Sequence, residues 1–203
     1  MRRIGLICAA SVLISGAAFA QDWDYFQKPE EHFAINFPGT PKIEDTGYKT
    51  AEGAELPARV YSAQKDTGRY VLTIADYTSR PREIPVALAH AAYVLRQKGR
   101  VTFEQPVEWD GVPGFQLTIV QNDGRPLHAT MLFYLNKLYI AEGSAAPNAP
   151  PPTAFHQSLV MIYNDGRAVN LEREEEQILQ LRLKQREQIN AANELARQRP
   201  PAP

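Results

Sequence analysis

FQLTIVQNDGRPLHATMLFYLNKLYIA, Phe115–Ala141, is the stretch that decides the fold. Asn122-Asp123-Gly124 interrupts it with a glycine in the third loop position, where a turn followed by a bulge needs a left-handed residue. Three loop residues set Phe115 opposite Met131, Leu117 opposite Ala129 and Ile119 opposite Leu127, one continuous apolar face. A tight turn at Asn136-Lys137 then sets Leu135 opposite Leu138 and Phe133 opposite Ile140. The stretch reads as a three-stranded antiparallel meander.

Upstream, the period stays close to two. Phe33, Ile35 and Phe37 alternate with Ala34 and Asn36 as in a half-buried strand, which Pro38-Gly39-Thr40-Pro41 ends. Lys42 to Thr50 is a weaker strand, with Gly53 in the turn after it. Ala58 to Gln64 and Tyr70 to Thr78 form a hairpin. A three-residue loop Asp66-Thr67-Gly68 pairs Val60 with Ile74 and Ser62 with Leu72. A two-residue loop pairs Tyr61 with Ile74, Ala63 with Leu72 and Arg59 with Asp76, and buries as much. Gly68 in the third position favours the three-residue loop. Ile84, Leu88, Ala91 and Leu95 recur at helical spacing over Glu83 to Lys98, with Pro85 in the first turn and Gly99 just past the end. A strand over Val101 to Trp109 turns at Gly111-Val112-Pro113-Gly114 and continues into Phe115–Gln121.

Downstream, Ala145 to Pro152 is a loop. Thr153 to Ile162 reads as a short helix with Phe155, Leu159 and Ile162 inward, and Asn164-Asp165-Gly166 is a turn. From Leu171 to Arg199 the composition changes to Glu, then Arg and Gln. Asn170 is the expected N-cap, and the acids of the first turns suit the helix dipole. Leu171, Ile178, Leu181, Ile189, Ala192 and Leu195 make an imperfect apolar stripe broken at Gln185. It is too short and interrupted for a sustained coiled coil, and it leaves self-association through residues 171–199 as one expectation. Pro200-Pro201-Ala202-Pro203 stops the helix.

The chain has 203 residues, 44% apolar and 22% charged, with 22 basic against 23 acidic side chains. That excludes a disordered chain and a basic nucleic-acid binder. The start looks like an export signal: Arg2 and Arg3, an uncharged apolar run from Ile4 to Ile14, then Ala18-Phe19-Ala20 as a cleavage site before Gln21. The run is too short to span a bilayer, so no stable membrane anchor is expected after cleavage. Cleavage removes the only cysteine, Cys8, which suits an oxidising compartment. It also takes two arginines and no acid, leaving 20 basic against 23 acidic side chains and a formal charge of −3. The expected location is periplasmic or secreted. The expected division is a signal peptide (1–20), an α+β domain (21–169), a polar helix (170–199) and a Pro-rich tail (200–203).

Three segments carry a resemblance. Phe33-Ala34-Ile35-Asn36-Phe37-Pro38-Gly39 resembles the opening strand of PsbP-like domains. Leu138-Tyr139-Ile140-Ala141-Glu142-Gly143, followed by a loop and Phe155-His156-Gln157-Ser158-Leu159, resembles their closing strand and helix. The pattern is also similar to small exported proteins of proteobacteria. It covers residues 23–169 and leaves the last helix unexplained. The resemblance implies an α/β/α sandwich with a mostly antiparallel sheet, and binding or accessory roles without a shared catalytic site.

The residues themselves offer no catalytic constellation. His32, His90, His128 and His156 have no metal-ligand spacing. Ser144 lacks the flanking glycines of a nucleophile elbow, and Ser79 and Ser158 have no motif. Glu30-Glu31 and Glu174-Glu175-Glu176 read as solvated acids. In the favoured register Arg59, Tyr61, Thr73 and Tyr77 share one sheet face with Ala75, a candidate partner patch in which Arg59 reaches Tyr77. The expectation is therefore an α+β domain with a long C-terminal helix, acting as an exported, non-enzymatic binding or accessory protein. Its partner would be a protein or small ligand, with no nucleic acid, cofactor or metal. Two other readings stand beside it: a hydrolase whose site assembles from distant residues, and a scaffold acting through the last helix.

Overall fold

The computed structural model describes residues 23–198, with side chains to residue 187. The expected export signal and the Pro-rich tail lie outside the described residues. The chain runs β1 (Asp24–Lys28), a 3₁₀ turn (Pro29–Glu31), β2 (Phe33–Phe37), β3 (Lys42–Lys49), β4 (Glu55–Lys65) and β5 (Gly68–Asp76). A second 3₁₀ turn (Pro81–Glu83) leads into α1 (Ile84–Arg96). Then come β6 (Gly99–Trp109), β7 (Val112–Gln121), β8 (Pro126–Tyr134), β9 (Lys137–Ser144), α2 (Thr153–His156), β10 (Val160–Met161) and α3 (Leu171–Gln198). The architecture is α+β and mostly antiparallel.

The strands form a seven-stranded sheet in the order β3-β4-β5-β9-β8-β7-β6 and a three-stranded sheet in the order β1-β2-β10. Both faces of the large sheet are buried at its centre. One face sends Leu117, Ala129, Met131, Leu138, Ala75 and Tyr77 against Ala87, Ala91, Ala92 and Leu95 of α1. The other sends Tyr61, Leu72, Leu132, Tyr139 and Ala141 against Phe33, Ile35, Phe37, Phe155 and Leu159. The second cover is thus the small sheet with the one-turn α2, where the resemblance implied a helical layer. Both edges of the large sheet resist further pairing. Residues 42–47 of β3 are all exposed and carry Lys42, Glu44 and Asp45. β6 carries a bulge between Val101 and Phe103 and a proline, Pro106.

The β7–β8 pairing is as read: Phe115 faces Met131, Leu117 faces Ala129 and Ile119 faces Leu127, with Gly124 at φ +83°. Other expectations need correction. The β8–β9 turn is Leu135-Asn136, both left-handed at φ 46° and 60°, so Phe133 faces Leu138 and Tyr134 faces Lys137. Asn tolerates that conformation, and Leu135 is 54% exposed, so the turn forfeits no burial there. The β6–β7 turn is Asp110-Gly111, and β7 already begins at Val112. Phe33 to Phe37 is not half-buried, because Phe33, Ala34, Ile35 and Phe37 are all sealed from solvent. The helix read over Thr153 to Ile162 stops at His156, and Val160–Met161 adds β10 to β2. Phe155, Leu159 and Ile162 are nevertheless buried as expected.

The β4–β5 hairpin follows neither register weighed from the sequence. Its loop is Asp66-Thr67, with Asp66 at φ 53°, and Lys65 pairs with Gly68. Arg59 faces Ile74, Val60 faces Thr73 and Tyr61 faces Leu72. Gly68 serves packing instead of the turn: a Cβ there would fall 2.4 Å from the Tyr70 hydroxyl.

α3 begins as expected. The Asn170 side chain accepts the Arg173 N–H at 2.8 Å, and the Leu171 N–H donates to the Asp110 carbonyl at 2.8 Å. Gly111, at φ +83°, lets Leu171 sit on the turn, since a Cβ would lie 2.7 Å from the Leu171 Cβ. The Tyr163 hydroxyl donates to Glu174. Residues 172–187 are all exposed, so α3 projects from the domain over that length. Among the described residues no helix is long and apolar enough to cross a membrane.

Phe155 joins Phe37 and Tyr70 at ring distances of 5.0 and 5.5 Å. Phe155→Ala should therefore cost about 3–5 kcal/mol in urea unfolding, whereas Phe103→Ala on exposed β6 should cost roughly 0.5 kcal/mol or less. Equal losses would contradict this assignment of the core.

Candidate functional site

At the β3–β5 end of the large sheet, the rim of the small sheet leaves a cleft of about 360 Å³. Ile74 and Pro57 contribute apolar surface, and Glu31, Asp45, Arg59, Asp76 and Lys137 supply the charge.

The cleft is built from the 3₁₀ turn upward. Pro29 opens the turn, and His32 closes it in the left-handed region at φ 62°, its N–H donating to the Pro29 carbonyl at 3.1 Å. His32 also holds its place through its carbonyl, which accepts the Ile162 N–H at 3.0 Å. This fixes Glu31 over the large sheet. The buried Tyr139 hydroxyl donates to the Glu31 carbonyl at 2.8 Å. The Tyr61 hydroxyl donates to Glu31 Oε2 at 2.8 Å, and Arg59 Nη1 donates to Glu31 Oε1. Arg59 Nε donates to Asp45 Oδ1 across the β3–β4 ladder at 2.7 Å.

The electrostatics follow from that geometry. Burial, reinforced by the hydrogen bond to Glu31, raises the Tyr61 phenol above its ordinary range. Burial and then the Glu31 charge do the same for Tyr139. Both phenols stay protonated donors. Burial alone would raise the Asp76 carboxyl. The hydrogen bonds from Thr78, one of them from its N–H at 2.8 Å, and the Lys137 charge outweigh it and hold the group below its usual range. The cleft therefore presents fixed charges of both signs. Both Glu31 oxygens are already hydrogen-bonded, so the arrangement binds and orients better than it transfers protons.

The four residues read as one patch are divided by the observed register. Arg59 and Tyr61 share the cleft face, with Arg59 at the rim and Tyr61 only 1% exposed. Thr73 lies on the opposite face, lining a second hollow with Arg69, Lys98 and Glu142. Tyr77 is sealed beneath α1. Burial there, with the nearby Glu83 charge, pushes its phenol up to about 12. Arg59 pairs with Glu31 and Asp45 instead of reaching Tyr77. Sequence reading missed Glu31, Asp45, Asp76 and Lys137, because they come from four separate segments. Register pairing of Asp76 with Lys137 was the one signal that could have joined two of them.

A second polar cluster lies on the same sheet face. His156 on α2 is 4% exposed, with Nδ1 2.9 Å from the Thr130 hydroxyl and its ring stacked on His128 at 5.5 Å. Burial, then the charge of His128, pushes His156 down to about 4. Among the described residues no group of three or more His, Cys, Asp or Glu is placed to hold a metal.

No family model matches the chain, and no curated protein matches it. Solved structures do. The solution structure of cyanobacterial PsbP from Synechocystis is similar at 12% identity and a TM-score of 0.47, over 74% of this chain and 98% of that one. A crystal structure of a protein of unknown function from Pseudomonas aeruginosa is similar at 9% identity and a TM-score of 0.33, over 62% and 83%. The functional reading rests on the chain's own geometry.

Two outcomes check the site. Tyr61→Phe should cost about 1 kcal/mol and Glu31→Ala about 2 kcal/mol, with a coupling near 1 kcal/mol in the double-mutant cycle. Full additivity would show that the pair does not join the two sheets. For His156, the unfolded chain takes up a proton below about pH 6.5 that the folded chain refuses until about pH 4. The contribution of neutral His156 is thus present above that window and lost as pH falls through it, at up to about 1.4 kcal/mol per pH unit. His156→Gln should flatten that part of the stability curve. An unchanged slope would show that His156 is solvated.

Proposed function

We propose that this is an exported, non-enzymatic accessory protein that binds a protein partner at the cleft beside Arg59. The observation that carries the reading is the double hydrogen bonding of Glu31. It pins the Arg59 guanidinium at the cleft rim while leaving its side chain 44% exposed, beside Asp45 at 76%. Arginine held in place and partly exposed is a favoured contact in protein interfaces, because little freedom is lost on binding. Charges of both signs around an apolar floor match another protein's surface. The cleft also opens beside the exposed strand β3, whereas small-molecule sites enclose most of their ligand. Export is supported by Arg2-Arg3, the apolar run from Ile4 to Ile14 and Ala18-Phe19-Ala20.

Charge reversal tests this without touching Glu31. Envelope extracts crosslinked to the protein should yield an adduct that Asp45→Lys and Lys137→Glu each abolish and that Arg69→Glu on the opposite face retains. Circular dichroism should report the same fold in all three variants. The same adducts from the cleft variants and the parent would refute the assignment.

A further inference from the structure

α3 presents large apolar side chains to solvent: Ile178 is 49% exposed, Leu179 55%, Leu181 66% and Leu183 44%. None of residues 172–187 is covered by the domain. Exposed apolar surface of this kind on a helix marks a contact surface. The charges say which partner fits. Glu172, Glu174, Glu175 and Glu176 occupy the first turns against the single Arg173, and Arg182, Lys184 and Arg186 the next two. Glu175 and Arg182 line one hollow of the helix surface together with Ile178 and Leu179. They are seven residues apart, two turns along the same face.

We infer that α3 pairs with α3 of a second copy, antiparallel, crossing near Ile178 and Leu179. A two-fold axis there sets Ile178 of each copy beside Leu179 of the other. It also sets Glu175 of each opposite Arg182 of the other, so that ion pair forms twice. Gln185, which breaks the apolar stripe, then falls opposite Glu172, so that polar position meets another polar one. Parallel pairing would stack the four glutamates against themselves, and it would align the helix dipoles unfavourably. A partner helix uniformly acidic or basic would meet like charge over half the contact. The apolar layer is short, so the dimer is weak and salt-sensitive.

The test is sedimentation equilibrium of the chain from Gln21, which has no cysteine. Glu175→Arg alone and Arg182→Glu alone should each raise the dissociation constant about tenfold or more, and the double reversal should restore it. All these positions are exposed, and circular dichroism should report the same fold in each variant. A single cysteine placed by Leu179→Cys should form a disulfide between copies under mild oxidation, and one placed by Glu187→Cys should not. A monomer at every concentration would overturn the proposal. So would a dimer indifferent to the single reversals, or one that the double reversal fails to restore, because each places the contact elsewhere.

Discussion

The large sheet buries both of its faces at the centre, and the rest of the molecule answers to that constraint. Strands β5, β9 and β8 carry apolar residues on both sides: Leu72 and Tyr139 toward one cover, Ala75 and Leu138 toward the other. Bare, either face would expose many apolar side chains at about 25 cal/mol per Å². α1 closes one face with alanines and leucine, which let helix and sheet approach closely. The small sheet closes the other with Phe33, Ile35 and Phe37, and α2 adds Phe155. The aromatic rings there meet at 5–6.5 Å, Phe33 with Tyr61 at 5.1 Å and Phe37 with Phe155 at 5.0 Å. Covering one sheet with another leaves a rim, and the cleft lies on it.

That origin explains the chemistry of the cleft. A turn entering the covering sheet must pass over the end of the covered one, and Glu31 lies at that crossing. Its carboxylate meets Arg59 and Tyr61, and its carbonyl meets Tyr139, so three residues of the large sheet hold one residue of the turn that joins β1 to β2. A lone half-buried carboxylate would be costly there, and the two donors Arg59 and Tyr61 offset the cost. One network serves architecture and presentation together: it docks the cover and leaves Arg59 oriented at the surface.

Fold class and most elements were legible in the sequence; several registers and the site were not. At Asn122-Asp123-Gly124 turn chemistry and burial agree, and the β7–β8 pairing follows. Past Tyr134 the expected register is two residues off. A shift of two keeps every side chain on its face, so burial is silent, and the choice rests on Leu135 adopting a left-handed conformation. At β4–β5, Gly68 looked like a turn residue, whereas the turn is Asp66-Thr67 and the glycine makes room for Tyr70. That misreading moved Thr73 and Tyr77 onto the face of Arg59. β1 and β10, five and two residues long, are too short to show a period. Glu31 was read as solvated because nothing local says that the chain turns there over another sheet.

Hydrogen exchange on the native chain tests most directly whether the small sheet is an integral cover. Amides of β2 should open with free energies matching those of β8 and β9, as one cooperative unit, while α3 beyond Leu171 exchanges far faster. If β1, β2 and β10 instead open together well below the energy of β8 and β9, the small sheet is a detachable flap. Covering the second face would then not be what builds the cleft.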